Sequence, residues 1–210
     1  MDINIFSKLT ESFNMPFGIF GLIGTIVITL CFCAVLFSIA FDFVKFDSKD
    51  RTKQKKRSIV ATGTMLLFFI CFYFLIKLNI GAVETNNLYV RMIFVSVGLI
   101  IIIAGSVVNI WGRFNLGENW ANHIKIYQNH TLVKSGVYKL VRHPLYASLI
   151  WAFYGACLVY LNYYAFLLNT FMFIPFMYYR AKQEEELLEK EFFDYNKYKL
   201  KVGMFFPKLF

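Results

Sequence analysis

Long apolar runs separated by basic loops constrain this chain more than any other feature of its sequence. A helix that crosses a bilayer needs about 20 mostly apolar residues, and three runs approach or exceed that length, at residues 17–41, 59–76 and 88–111. The chain is 58% hydrophobic and 17% charged, which is more apolar surface than a soluble domain of 210 residues can bury. The sequence therefore predicts an all-α, polytopic integral membrane protein.

A fourth apolar run, at residues 145–179, is too long for one perpendicular span. It is interrupted by Leu161-Asn162-Tyr163-Tyr164, a polar and aromatic stretch suited to a tight turn. We interpret the run as a helical hairpin of two short spans, which brings the total to about five. Residues 1–111 then hold three N-terminal spans, and residues 112–210 hold the hairpin, a cytosolic pocket and a tail.

The basic residues predict the orientation of these spans. Of the 22 Lys and Arg residues, 19 fall in the segments 42–58, 112–143 and 180–210, and three fall in the alternate segments. Cytoplasmic loops carry the excess of Lys and Arg, so the N-terminus is predicted outside and the C-terminus in the cytosol, in a bacterial inner membrane or the endoplasmic reticulum. The net charge of +9 then reflects topology and anionic lipid heads, not nucleic-acid binding.

Cysteines and carboxylates make several functions less favoured. Cys31, Cys33, Cys71 and Cys157 all lie in apolar runs and are interpreted as small buried hydrophobes, so no metal or redox site is expected. None of the 13 carboxylates falls within a predicted span. This distribution argues against a proton relay through the membrane.

The first candidate site is the segment 136–146, which ends in Arg142-His143-Pro144-Leu145-Tyr146. Pro144 is placed to open a helix, because proline is favoured at the first helical position. Free amides at such an end bind anions, and Arg142 and His143 add donors. Taken alone, the same residues could also be an interfacial anchor.

The second candidate site follows the last predicted span at Glu184-Glu185-Glu186, one helical turn beyond Arg180. A solvated amphipathic helix would explain these residues, but crowded carboxylates beside anionic lipid are unfavourable without a cationic ligand. The hairpin brings the two candidate sites side by side. One pocket would then offer both anion-binding and cation-binding groups.

About the last 95 residues resemble the isoprenylcysteine carboxyl methyltransferase and phospholipid methyltransferase superfamily. The resemblance is carried by an ordered set of short motifs and not by any one of them. These are Leu116-Gly117-Glu118-Asn119-Trp120, the stretch from His130 to Tyr138, Arg142-His143-Pro144-Leu145-Tyr146, Glu184-Glu185-Glu186-Leu187-Leu188, Tyr195-Asn196-Lys197-Tyr198, Val202 and Pro207.

The resemblance implies transfer of a methyl group from S-adenosylmethionine to a lipid-like acceptor that enters from the bilayer. The acceptor could be a prenylated cysteine carboxylate, a phospholipid amine or another small lipophile. The implied cofactor-binding residues are Leu132, Val133, Gly136, Tyr138, His143, Pro144, Tyr146 and Glu184. Arg142 would steer an acceptor carboxylate, and Glu185 is the acidic residue expected to help order the reaction site.

The sequence departs from the family pattern at two places. Ser148 stands where the family usually has Gly, and Phe192-Phe193 stands for the usual Phe-Gly after the acidic helix. Two alternatives therefore stay open: a membrane enone or sterol reductase that uses NADPH, and a membrane scaffold without enzymatic activity.

Overall fold

The computed structural model of the chain describes residues 18–46, 52–56, 59–85, 87–119, 124–127 and 131–208. Trp120 and His130 of the motifs above lie outside the described residues. The described helices are α1 Gly18–Phe46, α2 Ile59–Lys77, α3 Leu88–Leu116, α4 Pro144–Val159, α5 Tyr163–Leu168, α6 Ile174–Glu191 and α7 Tyr195–Lys201. Single 3₁₀ turns lie at Gly117–Asn119 and Gly136–Lys139, and a π turn at Asn169–Phe173 joins α5 to α6.

One short antiparallel ladder departs from the all-α prediction, which otherwise describes the fold. Strand β1, Thr52–Lys56, pairs with strand β2, Ile124–Tyr127. The sequence of β1, Thr-Lys-Gln-Lys-Lys, is polar throughout and carries no alternation of apolar residues that would predict a strand. The pairing ties the basic loop after α1 to the segment after α3.

Within the described ranges, two helices are long and apolar enough to cross a membrane, over Ile23–Lys45 and Leu88–Asn119. Two further apolar helices, Gly63–Lys77 and Pro144–Val159, are shorter. The turn predicted within the last apolar run is confirmed, because α4 ends at Val159 and α5 begins at Tyr163. Asn162 builds it: its side-chain oxygen caps α5 at the Ala165 amide, and its Nδ2 donates to the carbonyls of Leu75 and Ile80.

Helices α3 and α4 pack backbone to backbone, and glycines at seven-residue spacing make the approach possible. A Cβ at Gly98 would lie 2.5 Å from the carbonyl oxygen of Gly155, and one at Gly105 would lie 2.9 Å from that of Ser148. Gly112 faces Pro144 and Leu145 at the start of α4. Small residues in this pattern let helix backbones touch, which strengthens packing where no hydrophobic effect operates. The seam fixes α4, and with it the first candidate site, against α3.

Asp42 corrects the expectation that the spans carry no carboxylate. Helix α1 extends past Phe41 to Phe46, so Asp42 lies within it and is only 4% exposed. Its carboxylate accepts a hydrogen bond from Nη1 of Arg113 on α3, at 2.9 Å. The helix can continue through an acidic residue because a buried charge is tolerated when it is paired.

The cysteines are free thiols, and only Cys157 is fully buried. Cys31 and Cys71 are half-buried and Cys33 is exposed, which corrects the interpretation of all four as buried residues. Among the described residues, helix α1 packs mainly against α3.

Candidate active site

The loop before α4 is shaped by Gly136. Its φ is +58°, a left-handed conformation that favours glycine. A Cβ there would also overlap the side chain of Asn115. Asn115 Oδ1 instead accepts a hydrogen bond from the Val137 amide at 3.2 Å. The end of α3 therefore sets the conformation of the 3₁₀ turn that carries Tyr138.

Arg142 is buried, and its guanidinium is directed at the protein. Its Nε and Nη2 each lie 2.9 Å from Oε1 of Glu185, which is 1% exposed. Its Nη1 donates to the carbonyls of Lys199, at 3.2 Å, and Val202. The expected role of steering an acceptor carboxylate stays a prediction, and the contacts observed are all within the protein. Arg142 joins the acidic helix to the tail that follows it.

His143 lies between two carboxylates at the N-terminal end of α4. Its Nε2 is 3.2 Å from Oε1 of Glu185, and its Nδ1 is 3.6 Å from Oε2 of Glu184. Burial would lower the pKa of His143, but the hydrogen bonds and charges of Glu184 and Glu185 outweigh burial and raise it. The same imidazolium, against the opposing effect of burial, lowers the pKa of Glu184. Both carboxylates thus favour the protonated form of His143 relative to a free histidine.

Glu185 is held ionised by the same neighbours. Burial would raise the pKa of its carboxyl, but His143 and Arg142 together lower it to about 2. Its Oε2 also lies 3.3 Å from Nζ of Lys199, which reaches Oε1 of Glu189 at 2.6 Å. Glu185 is thus surrounded by protein cations, whereas the side chain of Glu184 keeps 39% exposure and remains open to a ligand.

Tyr146 and Arg180 form the side of the site nearest the apolar run. The Tyr146 ring is stacked on the His143 ring at 5.6 Å, and the guanidinium carbon of Arg180 lies 5.9 Å from the Tyr146 centroid. The Arg180 Nε is buried without a hydrogen-bond partner among the described residues. Sequence reasoning used Arg180 only to mark where α6 leaves the apolar run and gave it no role in the site.

The tail folds back over the start of α4. The amides of Arg142 and His143 donate to the carbonyls of Gly203 and Met204, at 2.8 and 3.1 Å. The hydroxyl of Tyr198 donates to the carbonyl of Tyr138. Tyr195 is 1% exposed, and its hydroxyl has no hydrogen-bond partner among the described residues. The sequence analysis does not predict these contacts; Tyr138, Arg142, His143, Tyr195 and Tyr198 lie in the motifs quoted for the resemblance, whereas Gly203 and Met204 do not.

The structure thus brings most of the expected residues to one place. Helix α4 begins at Pro144, as predicted, and the side chain of its N-cap residue, His143, makes no capping hydrogen bond. Arg142, His143, Tyr146, Glu184 and Glu185 meet around this end. Leu132 instead packs on the apolar cluster of Tyr195, Tyr198 and Val202, and Val133 is half-buried beside it in sequence. No group of three or more potential metal ligands occurs among the described residues.

Comparison with known proteins gives one consistent family. Residues 97–190 match the model of the isoprenylcysteine carboxyl methyltransferase (ICMT) family. A protein-S-isoprenylcysteine O-methyltransferase of Saccharomyces cerevisiae is 32% identical over 114 residues, 52% of this chain and 47% of that protein. A probable protein-S-isoprenylcysteine O-methyltransferase of Oryza sativa subsp. indica is 34% identical over 120 residues, which are 54% of this chain and 62% of that protein. The chain thus spans about half to three fifths of these relatives.

A solved structure has the same fold over almost the whole chain. It is the eukaryotic intramembrane Ras methyltransferase ICMT without a monobody, with a TM-score of 0.51 and 22% sequence identity. The match covers 98% of this chain and 82% of that one. The family resemblance predicted from the sequence is therefore confirmed for residues 97–190, and the fold likeness extends to the N-terminal helices.

Proposed function

We propose that this chain, which resembles the isoprenylcysteine carboxyl methyltransferase family over residues 97–190, is a membrane methyltransferase that uses S-adenosylmethionine. The observation that carries the proposal is the cluster of His143, Glu184, Tyr146 and Arg180 at the junction of an apolar hairpin and its polar extension. The acceptor is the carboxylate of a prenylated cysteine or a similar small lipophile, as the names of the relatives suggest.

The polar groups present suit S-adenosylmethionine. The half-exposed carboxylate of Glu184 offers an acceptor to the ammonium or ribose end of the cofactor. The hydroxyl of Tyr195, which has no partner in the described part of the chain, offers a further polar contact, and the start of α4, where His143 makes no side-chain cap, offers amides for a carboxylate. Such mixed polarity matches a zwitterion that also carries a sulfonium.

The reaction requires alignment more than acid–base chemistry. S-adenosylmethionine supplies an activated methyl group, and a carboxylate acceptor needs no base to receive it. Positioning two reactants in line accounts for most of the rate in such a displacement. We assign the acceptor carboxylate to Arg180, because its Nε has no hydrogen-bond partner among the described residues and its side chain, bonded to Tyr146, lies beside the apolar run from which a lipid-like acceptor would come. Arg142 and Glu185 are assigned to holding His143 and the tail in place.

The proposed topology keeps five spans, an external N-terminus and a cytosolic C-terminus. The support is the 19-to-three distribution of basic residues, together with two helices of spanning length and two shorter apolar ones. Reporter fusions to the two ends test this topology. Both ends on one side of the membrane would contradict the count of five.

Cofactor titration tests the assignment of Glu184. In purified protein, Glu184→Gln removes one charge-assisted hydrogen bond and should weaken S-adenosylmethionine binding roughly tenfold. Glu186→Gln changes an exposed carboxylate of the same helix and should leave affinity within about twofold. Equal affinities of wild type and both variants would remove the acidic helix from the cofactor site. Binding of NADPH in place of S-adenosylmethionine would favour the reductase alternative.

Methyl transfer to N-acetyl-S-farnesylcysteine tests the assignment of Arg180. Arg180→Gln should raise the acceptor KM by roughly tenfold or more while the cofactor affinity changes little, because one charge-assisted contact to the acceptor is lost. An unchanged acceptor KM would mean that a cation other than Arg180 binds the acceptor carboxylate.

A further inference from the structure

A buried polar chain connects the first helix to the start of α4. It runs from Asp42 on α1 through Arg113 and Asn109 on α3 to Ser148 on α4. Arg113 donates through Nη1 to Asp42 at 2.9 Å and through Nε to Asn109 Oδ1 at 3.0 Å. Asn109 Nδ2 donates to Ser148 Oγ at 2.8 Å, and Ser148 Oγ donates to the carbonyl of Leu145 at 2.9 Å.

The hydrogen bonds of this buried polar network all donate in one consistent direction. Arginine has donors only, so Asn109 must turn its oxygen toward Arg113 and its amide nitrogen toward α4. That nitrogen also lies 3.4 Å from the Leu145 carbonyl. Asp42, Asn109 and Ser148 are each less than 5% exposed, so water does not compete for these bonds. The ion pair between Arg113 and Asp42 therefore fixes the orientation of the Asn109 side-chain amide, which contacts the first turn of α4.

This first turn carries the proposed site. Leu145 lies between Pro144 and Tyr146, and Tyr146 is stacked on His143. Ser148, a departure from the usual glycine of the family pattern, supplies the hydroxyl that receives the Asn109 amide. The serine that replaces the usual glycine is therefore hydrogen-bonded to Asn109 on α3.

We propose that Arg113, held by Asp42, is a positioning residue that sets the first turn of α4 for the reaction. The inference rests on the proposed methyltransferase function. Helix α1 then takes part in building the site, in addition to crossing the membrane. A purely structural role would instead make Arg113 and Asp42 an anchor whose loss lowers stability and leaves a folded site unchanged.

Four variants separate these roles: Asp42→Asn, Arg113→Gln, their combination, and Arg113→Lys. Positioning predicts that each single variant weakens S-adenosylmethionine binding and lowers kcat roughly tenfold, since small displacements of a site are costly. The combination should be no worse than Arg113→Gln, because both changes interrupt one chain. Arg113→Lys can still pair with Asp42 but has no second fixed donor for Asn109. It should therefore regain thermal stability without regaining cofactor affinity.

Two milder variants keep the test decisive if an Arg113 variant does not fold. Ser148→Ala removes only the hydroxyl that Asn109 contacts, and should weaken cofactor binding about threefold to tenfold. Ser106→Ala is its control, because the hydroxyl of Ser106 donates to the Ile102 carbonyl of its own helix, and it should have no effect on binding.

The outcomes are distinct for the two proposals. A wild type that neither binds S-adenosylmethionine nor methylates N-acetyl-S-farnesylcysteine overturns the proposed function and this inference with it. An active wild type whose folded Asp42, Arg113 and Ser148 variants keep normal affinity and kcat overturns this inference alone. Restoration of both stability and cofactor affinity by Arg113→Lys would also overturn it, since an anchor requires only the charge.

Discussion

Replacement of Arg142 by Ala should detach the tail from α4 without preventing membrane insertion. The guanidinium joins three segments: it contacts Glu185 on α6 through two nitrogens, and it donates to the carbonyls of Lys199 and Val202. With Ala, both carbonyls lose this donor, and Glu185 loses one of its cations. None of these contacts involves the apolar faces of α4 and α6, so the hairpin should still form.

The size of the effect follows from what Glu185 retains. Removal of one partner from a buried ion pair typically costs about 3–5 kcal/mol. Glu185 keeps His143 at 3.2 Å and Lys199 at 3.3 Å, so we expect the lower end, about 3 kcal/mol. Since about 1.4 kcal/mol is a factor of ten, the opening of the tail should become roughly a hundredfold more frequent.

Amide hydrogen exchange of the detergent-solubilised protein measures this opening. The amide of His143 is bonded to the Met204 carbonyl and that of Val202 to the Tyr198 carbonyl. Both should exchange roughly a hundredfold faster in the variant, as local opening governs protection. Lys134→Ala is the control: it breaks the exposed ion pair with Asp194 and should leave exchange nearly unchanged. Unaltered exchange in Arg142→Ala would refute the view that Arg142 holds the tail.

Three further results are expected. The raised pKa of His143 stabilises the folded state fully below the ordinary pKa of 6.5, and this stabilisation is lost as the pH rises through the raised value. The thermal midpoint should therefore fall with rising pH, and His143→Gln should make that fall smaller. The lowered pKa of Glu185, about 2, adds stability that is lost only as pH falls from about 4.5 toward 2, which acid unfolding should show. Gly98→Ala should destabilise the protein by about 1–3 kcal/mol in unfolding assays, because its Cβ would meet the Gly155 carbonyl, whereas Gly63→Ala, with nothing within 4 Å, should not.

The parts of the fold that follow from local chemistry were accessible from the sequence. The apolar runs predict helices, and Pro144 opens α4 where its fixed φ predicts. The polar interruption at Asn162 forms the hairpin turn because its side chain caps the next helix. That turn alone brings His143 beside the acidic helix. The juxtaposition of the two candidate sites was therefore predictable.

The remaining features depend on partners distant in the chain. Arg142 could be recognised as part of a motif, but the sequence does not indicate that its donors meet carbonyls near residue 200. The apolar run ends at Phe41, so the sequence predicts Asp42 outside the span; its buried partner Arg113 lies 71 residues away. Arg180 joins the site through its contact with the Tyr146 ring, which is itself stacked on His143. In each case the decisive contact is tertiary, and local composition does not encode it.

The glycine seam between α3 and α4 also restricts how a lipid could reach the site. At Gly98 and Gly105 the backbone of α3 lies against the backbone of α4, with no room for one added carbon atom. A prenyl chain, the apolar part of the acceptor proposed above, is wider than that carbon and could not slide between these helices while they remain packed. The seam is thus a closed side of the hairpin, and an acceptor arriving from the bilayer has to approach along another face of α4.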